Sequence, residues 1–473
     1  MGEINRNPQS EFRDRHVLVM GLGVHGGGLG VVRFMARNGA EVRVTDLRTA
    51  DKMAGSIDAL AEEGIAVTYT LGEHREADFE WADLIVKNPA VPDKSPWLEL
   101  ARRLGKPVEM EMSIFLRLCP GPVVAITGTK GKSTTATWTW EMLRHWRPDA
   151  LLAGNLRVSA LEALPRITPQ TPVVLELSSF QLEGLNEPAI SPHIGAVTNL
   201  SPDHLDRYSN MADYGAAKKL IFTHQHEGDW AVLNADHPEV SSWAADAPAG
   251  IAWFGVESAP TAPGVFLADG FFIWYGPTGE QEVIAPAAVV QVPGKHNLVN
   301  AACAATSAIL AGAPADAVRA GLASFRGVAD RLEYLATVAG VRFYNDTTST
   351  TPASSRAALQ ALDGPIVLIA GGADKGLDFA ELAPVVANHT FAVVLLEGSA
   401  TDLMARQFEA AGVNVLGRYD DFAAATRAAW EATPTGGTVL LSPATASFGM
   451  FRNEFDRGEQ FRAIVNSLLE EQQ

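Results

Sequence analysis

The stretch Val123-Val124-Ala125-Ile126-Thr127-Gly128-Thr129-Lys130-Gly131-Lys132-Ser133-Thr134-Thr135 limits what this chain can fold into more than any other. Its apolar run, Val123 to Ile126, reads as a buried parallel strand. The run enters a glycine loop, and a helical pattern follows. Strand, glycine loop and helix form the context in which Gly-Lys-Ser signals a phosphate-binding loop. Glycines let backbone N–H groups approach an anion, and the helix start adds partial positive charge. Gly128, Thr129, Lys130, Gly131, Lys132, Ser133 and Thr134 are therefore the expected nucleotide-binding set. Lys132 is expected to reach the outer phosphates and Ser133 to ligate Mg²⁺. The loop is shorter than the common G-x-x-x-x-G-K-[ST] form and is read as a variant of it.

A length of 473 residues suggests three domains at roughly 150 residues each. We expect them at 1–118, 119–325 and 326–473, all α/β. The net charge of −18 argues against nucleic acid as a partner, because no basic stripe offsets it. It leaves anionic small substrates open, since local lysines and helix ends hold those. Cys119 and Cys303 are the only cysteines, which excludes a disulfide framework and a cysteine zinc site. The first ten residues are polar, without the apolar core of a signal peptide. No uninterrupted apolar run reaches the length of a membrane span. A cytoplasmic protein is expected.

Along the chain, His16 to Gly23 reads as a strand ending in a glycine turn, followed by a helix to about Asn38. Glu41 to Thr45 reads as a second strand ending at Asp46. An acidic residue after the second strand of a β-α-β unit suits a dinucleotide-like fold. The glycines fit G-x-G-x-x-G only as Gly21, Gly23 and Gly26. Asp83 to Val86 is a further strand, and 93–118 reads as largely helical. Strands are expected at 173–177, 194–198 and 231–234, with a helix over 211–222. Residues 250–292 suggest a small antiparallel sheet, and 296–310 a helix rich in small residues. Beyond Arg326, strands at 341–344, 366–370, 391–396 and 438–441 alternate with helical patterns. A frayed tail is expected over 470–473.

In open α/β sheets, ligands bind beyond the carboxyl ends of the strands. Glu176 and His204 fall at or just after such ends. A carboxylate and an imidazole near a phosphate loop suit a second Mg²⁺. Glu176 also suits a structural ion pair, and His204 a surface hydrogen bond. Lys218 and Lys219 lie on a helical pattern, where a solvated face is the ordinary reading. An NAD-dependent oxidoreductase would use Gly21 to Asp46 but would leave the phosphate loop unexplained. A plain nucleotide-binding regulator would not need Glu176, His204 and Lys218 together.

Seven blocks occur in order. They are Gly128 to Thr134, Glu176-Leu177-Ser178-Ser179-Phe180-Gln181-Leu182-Glu183, Asp203-His204-Leu205-Asp206-Arg207-Tyr208 and Gly294-Lys295-His296-Asn297-Leu298-Val299-Asn300. Asp330-Arg331-Leu332-Glu333, Asn345-Asp346-Thr347-Thr348 and Ser442-Pro443-Ala444-Thr445-Ala446-Ser447-Phe448 complete them. This series resembles the Mur ligases over nearly the whole chain, and among them those that add D-glutamate. The resemblance implies a dinucleotide-like (Rossmann-type) first domain for a UDP-sugar, a phosphate-loop ATPase-type second domain with a small β-sheet, and a Rossmann-like third domain for glutamate. It implies an ATP-dependent amide ligase acting on UDP-N-acetylmuramoyl-L-alanine through an acyl phosphate. ATP, two Mg²⁺ sites and a monomer go with it; L-glutamate or another amino acid is the alternative nucleophile.

Residue by residue, the resemblance implies Lys132, Glu176, His204, Lys218 and Arg331 as catalytic, with Lys218 carrying a carbamate. Ser133, Glu176, His204 and Lys218 would hold the metals. Asn297, Asn300, Arg331 and Asp346 match ATP contacts. Gly21, Val24, His25, Asp46, Arg48 and Asn88 match the UDP turns, and Asn155 and Ser178 match positions on the muramoyl-alanine part. Lys375 and Ser447 match positions around the glutamate carboxylates. The chain departs at Thr348, where a lysine is usual, and at Arg157, where a glycine is usual; the position of a usual aromatic falls at Glu454, or at Phe455 with a one-residue shift.

Overall fold

A computed structural model of the chain describes residues 8–23, 27–154, 159–205, 207–374 and 376–472. They form two compact units. One runs to Val289 and adds His296–Ser324; the other is Val290–Lys295 with Phe325 onward.

The first unit holds two sheets. The N-terminal sheet has β1 (His16–Met20), β2 (Glu41–Asp46), β3 (Thr68–Leu71), β4 (Leu84–Lys87) and β5 (Val108–Glu109), in the order β3-β2-β1-β4-β5. All its pairings are parallel. Parallel strands are covered on both faces, which is why β1 and β4 read as apolar runs rather than alternations. The helix Gly27–Arg37 lays Val31, Val32, Phe34 and Met35 on one face. The same core takes in Phe115, Leu161 and Leu164, so the first and middle segments share buried apolar surface. Phe79, Leu98 and Ala101 close the opposite face over Leu18, Met20 and Ile85. The helix expected over 93–118 is two helices, Pro96–Arg103 and Glu111–Leu118, with β5 between them. Pro107 disfavours helical backbone at Lys106, so the chain extends there and joins the sheet.

The central sheet has β6 (Val123–Thr127), β7 (Leu151–Gly154), β8 (Val173–Glu176), β9 (Ile194–Val197), β10 (Trp230–Asn234), β11 (Gly250–Gly255), β12 (Gly264–Ala268), β13 (Phe271–Tyr275) and β14 (Gln281–Pro286). Their order is β14-β13-β12-β11-β10-β9-β6-β8-β7. β6 lies between β8 and β9, and all five of its residues are buried. The antiparallel pairs expected over 250–292 are β12–β13 and β13–β14, but they are the edge of this sheet and not a separate one. β11 and β12 continue it in parallel from β10. Gly264 permits that extension: a Cβ there would lie 2.1 Å from the Trp253 carbonyl oxygen.

The second unit has β15 (Glu333–Val338), β16 (Val341–Asn345), β17 (Ile366–Gly371), β18 (Thr390–Leu396), β19 (Val415–Tyr419) and β20 (Thr438–Leu441), in the order β15-β16-β20-β17-β18-β19. Only β15 is antiparallel to its neighbour. Apolar clusters cover both faces. The closing helix runs Glu454–Glu471, where a frayed end was expected, and Glu471 is bonded to Arg427 at 2.8 Å. Among the described residues no helix is long and apolar enough to cross a membrane.

Candidate active site

The glycine loop leaves the central strand β6 where its two neighbours lead away in opposite directions, the place at which open α/β sheets bind ligands. Gly128 and Gly131 have φ of +144° and +81°. A Cβ at Gly128 would lie 1.9 Å from Thr198 Oγ1, and one at Gly131 2.4 Å from Asn300 Oδ1. Only glycine fits both the conformation and the space. The end of β9 pins the loop. Thr129 N donates to Asn199 O at 3.0 Å and Lys130 N to Asn199 Oδ1 at 2.9 Å. Thr198 Oγ1 and Asn199 Nδ2 both donate to the Lys130 carbonyl, at 2.7 and 3.0 Å. The helix Lys132–Trp146 then begins with Ser133 buried in its first turn. Asn300 is buried beside Gly131 and donates to Asn297 Oδ1 at 3.1 Å.

Two lysines converge on one loop carbonyl. Lys132 Nζ donates to Gly128 O at 3.0 Å and to Thr129 O at 2.9 Å. Lys218 Nζ donates to Gly128 O at 2.8 Å. The structure rules out a solvated face for Lys218, which is 1% exposed. Its helix, Met211–Lys219, starts at an Asn210 cap and carries Tyr214 four residues before Lys218. That spacing stacks the two side chains on one face, and Nζ lies 4.5 Å from the Tyr214 ring centroid. Burial first, then the charge of Lys132, pushes the Lys218 amine down to about 7, while Asp203 pulls it up. Lys219 is not free in solvent either; it pairs with Asp246.

Glu176 ends β8, 2% exposed, opposite Ile126 of β6. Gly154 allows its backbone close, since a Cβ there would meet Glu176 O at 2.3 Å. Ser178 and Gln181 form a capping box on the next short helix. His204 is exposed with φ +52°. Its ring is 4.9 Å from Phe180 and 6.1 Å from Tyr214. Arg207 and Tyr208 both donate to Glu183 at 2.7 Å. Tyr214 thus links His204 to Lys218. Tyr214 and Asn199 are missed by sequence reasoning, though Asn199 stands at a strand end. Among the described residues no three His, Cys, Asp or Glu side chains gather as a metal site. The Ser133 hydroxyl and the Glu176 carboxylate are hard oxygen donors of the kind Mg²⁺ takes, and a free lysine amine is not.

The N-terminal sheet carries a second candidate site. Gly21 and Gly23 have φ of +91° and +68°. Asn88 Nδ2 donates to Gly21 O at 3.4 Å, and a Cβ at Gly21 would lie 2.8 Å from Asn88 Cβ. Asp46 accepts from Arg48 N at 2.9 Å and Gly23 N at 3.5 Å, so it closes the turn. A cavity of about 240 Å³ opens here, lined by Gly21, Gly28, Lys87, Asn88, Glu111 and Ser178 among others. Burial pushes the Lys87 amine below its ordinary range. Val24, His25, Asn155 and Lys375 lie outside the described residues, as do Asp206 and Arg157.

In the second unit, Arg331 is exposed and Asp346 buried. Asp346 accepts from Leu332 N at 3.1 Å and Ser442 Oγ at 2.8 Å, and burial pushes it up to about 6. Thr348 donates to Asp330 O at 2.7 Å, and Ser447 is buried in the turn before Phe451. Arg457, fully buried, donates to Thr347 Oγ1 and O at 2.9 Å each; nothing in the sequence singles it out.

A glycine loop of the phosphate-binding kind on a mostly parallel central sheet, preceded in the chain by a dinucleotide-like sheet and followed by a third α/β sheet, suits an ATP-using ligase class, and the chain belongs to the Mur ligase family. The MurD-like N-terminal domain of that family matches residues 15–109, the middle domain 126–308, and the glutamate ligase domain 330–445. More particularly, the chain is 49% identical to the UDP-N-acetylmuramoylalanine--D-glutamate ligase of Roseiflexus sp. (strain RS-1), over 97% of this chain and 99% of that one. The ligase of the same name from Geobacter metallireducens is 39% identical, over 97% and 98%. Among solved structures, the UDP-N-acetylmuramate-alanine ligase MurC of Thermotoga maritima shares the fold at a TM-score of 0.55 and 21% identity, over 96% of this chain and 99% of that one.

Proposed function

We propose that the chain is an ATP-dependent ligase that adds D-glutamate to UDP-N-acetylmuramoyl-L-alanine, a step of peptidoglycan precursor synthesis. The observation that carries this is the phosphate loop with Lys132 and a buried Lys218 on one carbonyl, in a chain 49% identical to a ligase of that name. The muramoyl-alanine carboxylate attacks the γ-phosphorus of ATP. ADP leaves and an acyl phosphate forms. The glutamate amine then attacks the acyl carbon, and phosphate departs from a tetrahedral intermediate.

Catalysis of this kind is positioning plus charge stabilisation. Gly128 to Thr134 present backbone N–H groups to the phosphates, and Lys132 offsets charge on the transferred group. By the family resemblance, Arg331 is assigned to the same charge, and Asn297, Asn300 and Asp346 to the nucleotide. Ser133 would hold one Mg²⁺ and Glu176, His204 and a modified Lys218 a second; bound Mg²⁺ supplies charge neutralisation. A neutral Lys218 amine adds to CO₂, forming an N–C bond and releasing one proton, which yields a carbamate oxygen donor. The depressed basicity of Lys218 supports this, because it leaves the reactive neutral amine populated near neutrality. Gly21, Val24, His25, Asp46, Arg48 and Asn88 take the UDP part, Asn155 and Ser178 the muramoyl-alanine, and Lys375 and Ser447 the glutamate. The domains are drawn at 1–118, 119–325 and 326–473. The substrates are soluble nucleotides and an amino acid, which suits a cytoplasmic enzyme acting as a monomer.

The test is phosphate release from ATP with UDP-N-acetylmuramoyl-L-alanine, with D-glutamate and L-glutamate in separate reactions. Release with D-glutamate alone is expected. Release with L-glutamate alone would keep the chemistry and move the stereochemistry, and silence with both would overturn the reading.

A further inference from the structure

Glu111 lines the N-terminal cavity and has no part in the reaction above. It opens the helix Glu111–Leu118. Its Oε1 accepts from Ser159 Oγ at 2.6 Å, and backbone N–H groups of Ala160 and Leu161 also bond its carboxylate. Its Oε2 faces Gly27, where a Cβ would stand 3.5 Å away. Gly27 and Gly28 line the same cavity and begin the eleven-residue helix Gly27–Arg37. The first turn of such a helix is where dinucleotide-like folds hold a diphosphate. A carboxylate therefore stands where an anionic ligand is due.

Among the described residues, the charged groups around it do not neutralise it. From the sheet, Lys87 Nζ is engaged by Val91 O at 3.3 Å and Asp93 at 3.6 Å. From the short helix Ala160–Ala163, Glu162 adds negative charge. Arg33 of the glycine-started helix is on Glu162 at 3.7 Å and on Glu63. On Glu111's own element and just before it, Arg117 pairs with Glu109 and Glu11.

We propose that Glu111 is the proton-linked specificity element of the sugar-nucleotide pocket: the anionic ligand binds together with one proton, which Glu111 carries as a neutral acid donating to a ligand oxygen. The step balances as carboxylate plus proton plus ligand giving the acid–ligand complex, with no bond to carbon made or broken. A carboxylate against a diphosphate in a partly desolvated cavity is strongly repelled, whereas the acid supplies a hydrogen bond. Burial already pushes Glu111 up to about 7, so the proton is within reach at neutral pH. The inference rests on the assignment of this cavity to the sugar nucleotide.

Calorimetric titration of the full chain with UDP-N-acetylmuramoyl-L-alanine, and separately with UDP, tests it at pH 7.5 in two buffers of different ionisation enthalpy. Wild type takes up most of one proton on binding. Its Kd weakens toward tenfold per pH unit above neutrality, the slope of a single linked proton. Glu111→Gln binds without that uptake and with a flat pH profile. Ser159→Ala moves the uptake to higher pH, because it removes a hydrogen bond that holds the carboxyl down; a merely structural role would leave the uptake where it is. Uptake with UDP puts the proton against the diphosphate, and uptake only with the full substrate puts it against the muramoyl part. Binding by wild type without uptake, or equal uptake in Glu111→Gln, overturns the role of Glu111 alone. Absence of binding by wild type overturns the assignment of the cavity and the role together.

Discussion

At the scale of single residues, Lys218 decides most. A buried amine sharing a carbonyl with a second ammonium is costly as a cation, and the fold retains it against Tyr214 and Gly128. Such a lysine is suited to chemistry, not to a surface ion pair. Lys218→Ala is expected to lower kcat by about a hundredfold or more, the size of loss seen when one preorganised charge-stabilising group is removed. Short carboxylic acids such as formate or acetate are expected to restore part of it, since they would replace the oxygens of the proposed carbamate and fill the space left by the side chain. Phosphate release at saturating substrates, with and without acetate, reads this out. Full activity in the unrescued variant would remove Lys218 from the chemistry.

At the scale of elements, the phosphate-loop helix is only as well placed as its packing. Lys132–Trp146 lies against Ala315–Ser324, and Trp138 Nε1 donates to Gly321 O at 3.0 Å. Gly321 is where the two backbones approach: a Cβ there would lie 2.6 Å from Met142 Cγ and 2.7 Å from Met142 Cα. Gly321→Ala is therefore expected to destabilise by about 1–3 kcal/mol, the ordinary cost of overpacking; a urea midpoint at the wild-type value would contradict this. The alternation of strands and helices is legible in the sequence because parallel strands such as β6, β8 and β17 are apolar up to their last residue. The short strands β3, β5 and β7 are not, because they extend only by pairing with a neighbour distant in sequence. For the same reason the β11–β12 pairing is not legible, since direction is set by the partner strand and not by the run itself. The succession of strand, glycine loop and helix from Val123 to Trp146 is readable. Glu111 and Arg457 are not, since their partners lie 48 and 110 residues away, and Tyr214 is not, since it packs on Lys218, whose own partner Gly128 is 90 residues away.

At the scale of the whole molecule, the two units carry different balances of buried titratable groups, and stability against pH separates them. In the second unit, burial holds Asp346 up at about 6 and pushes Asp330 up as well. A carboxyl raised above its unfolded value stabilises fully below that value, and the contribution is lost as pH rises through the folded one. The second unit's unfolding temperature is thus expected to fall between pH 4.5 and 7. In the first unit Glu111 and Glu109 are raised in the same way. Burial holds His74, His224 and His296 below their usual value there, and such groups gain stability as pH rises through the same range. The first unit's transition is accordingly flatter. Lys218, held down to about 7, enters only above neutrality, where it makes stability rise with pH. Asp236 and Glu63, held low by their hydrogen bonds, weaken only in stronger acid, below this window. Calorimetry from pH 4.5 to 7 reads the two units as separate transitions, and Asp346→Asn identifies the second by reducing its slope alone. Glu111→Gln is expected to tilt the first transition upward with pH, because it leaves only Glu109 to oppose the histidines. Identical slopes for both transitions, unmoved by either substitution, would show that these buried groups do not set the pH response.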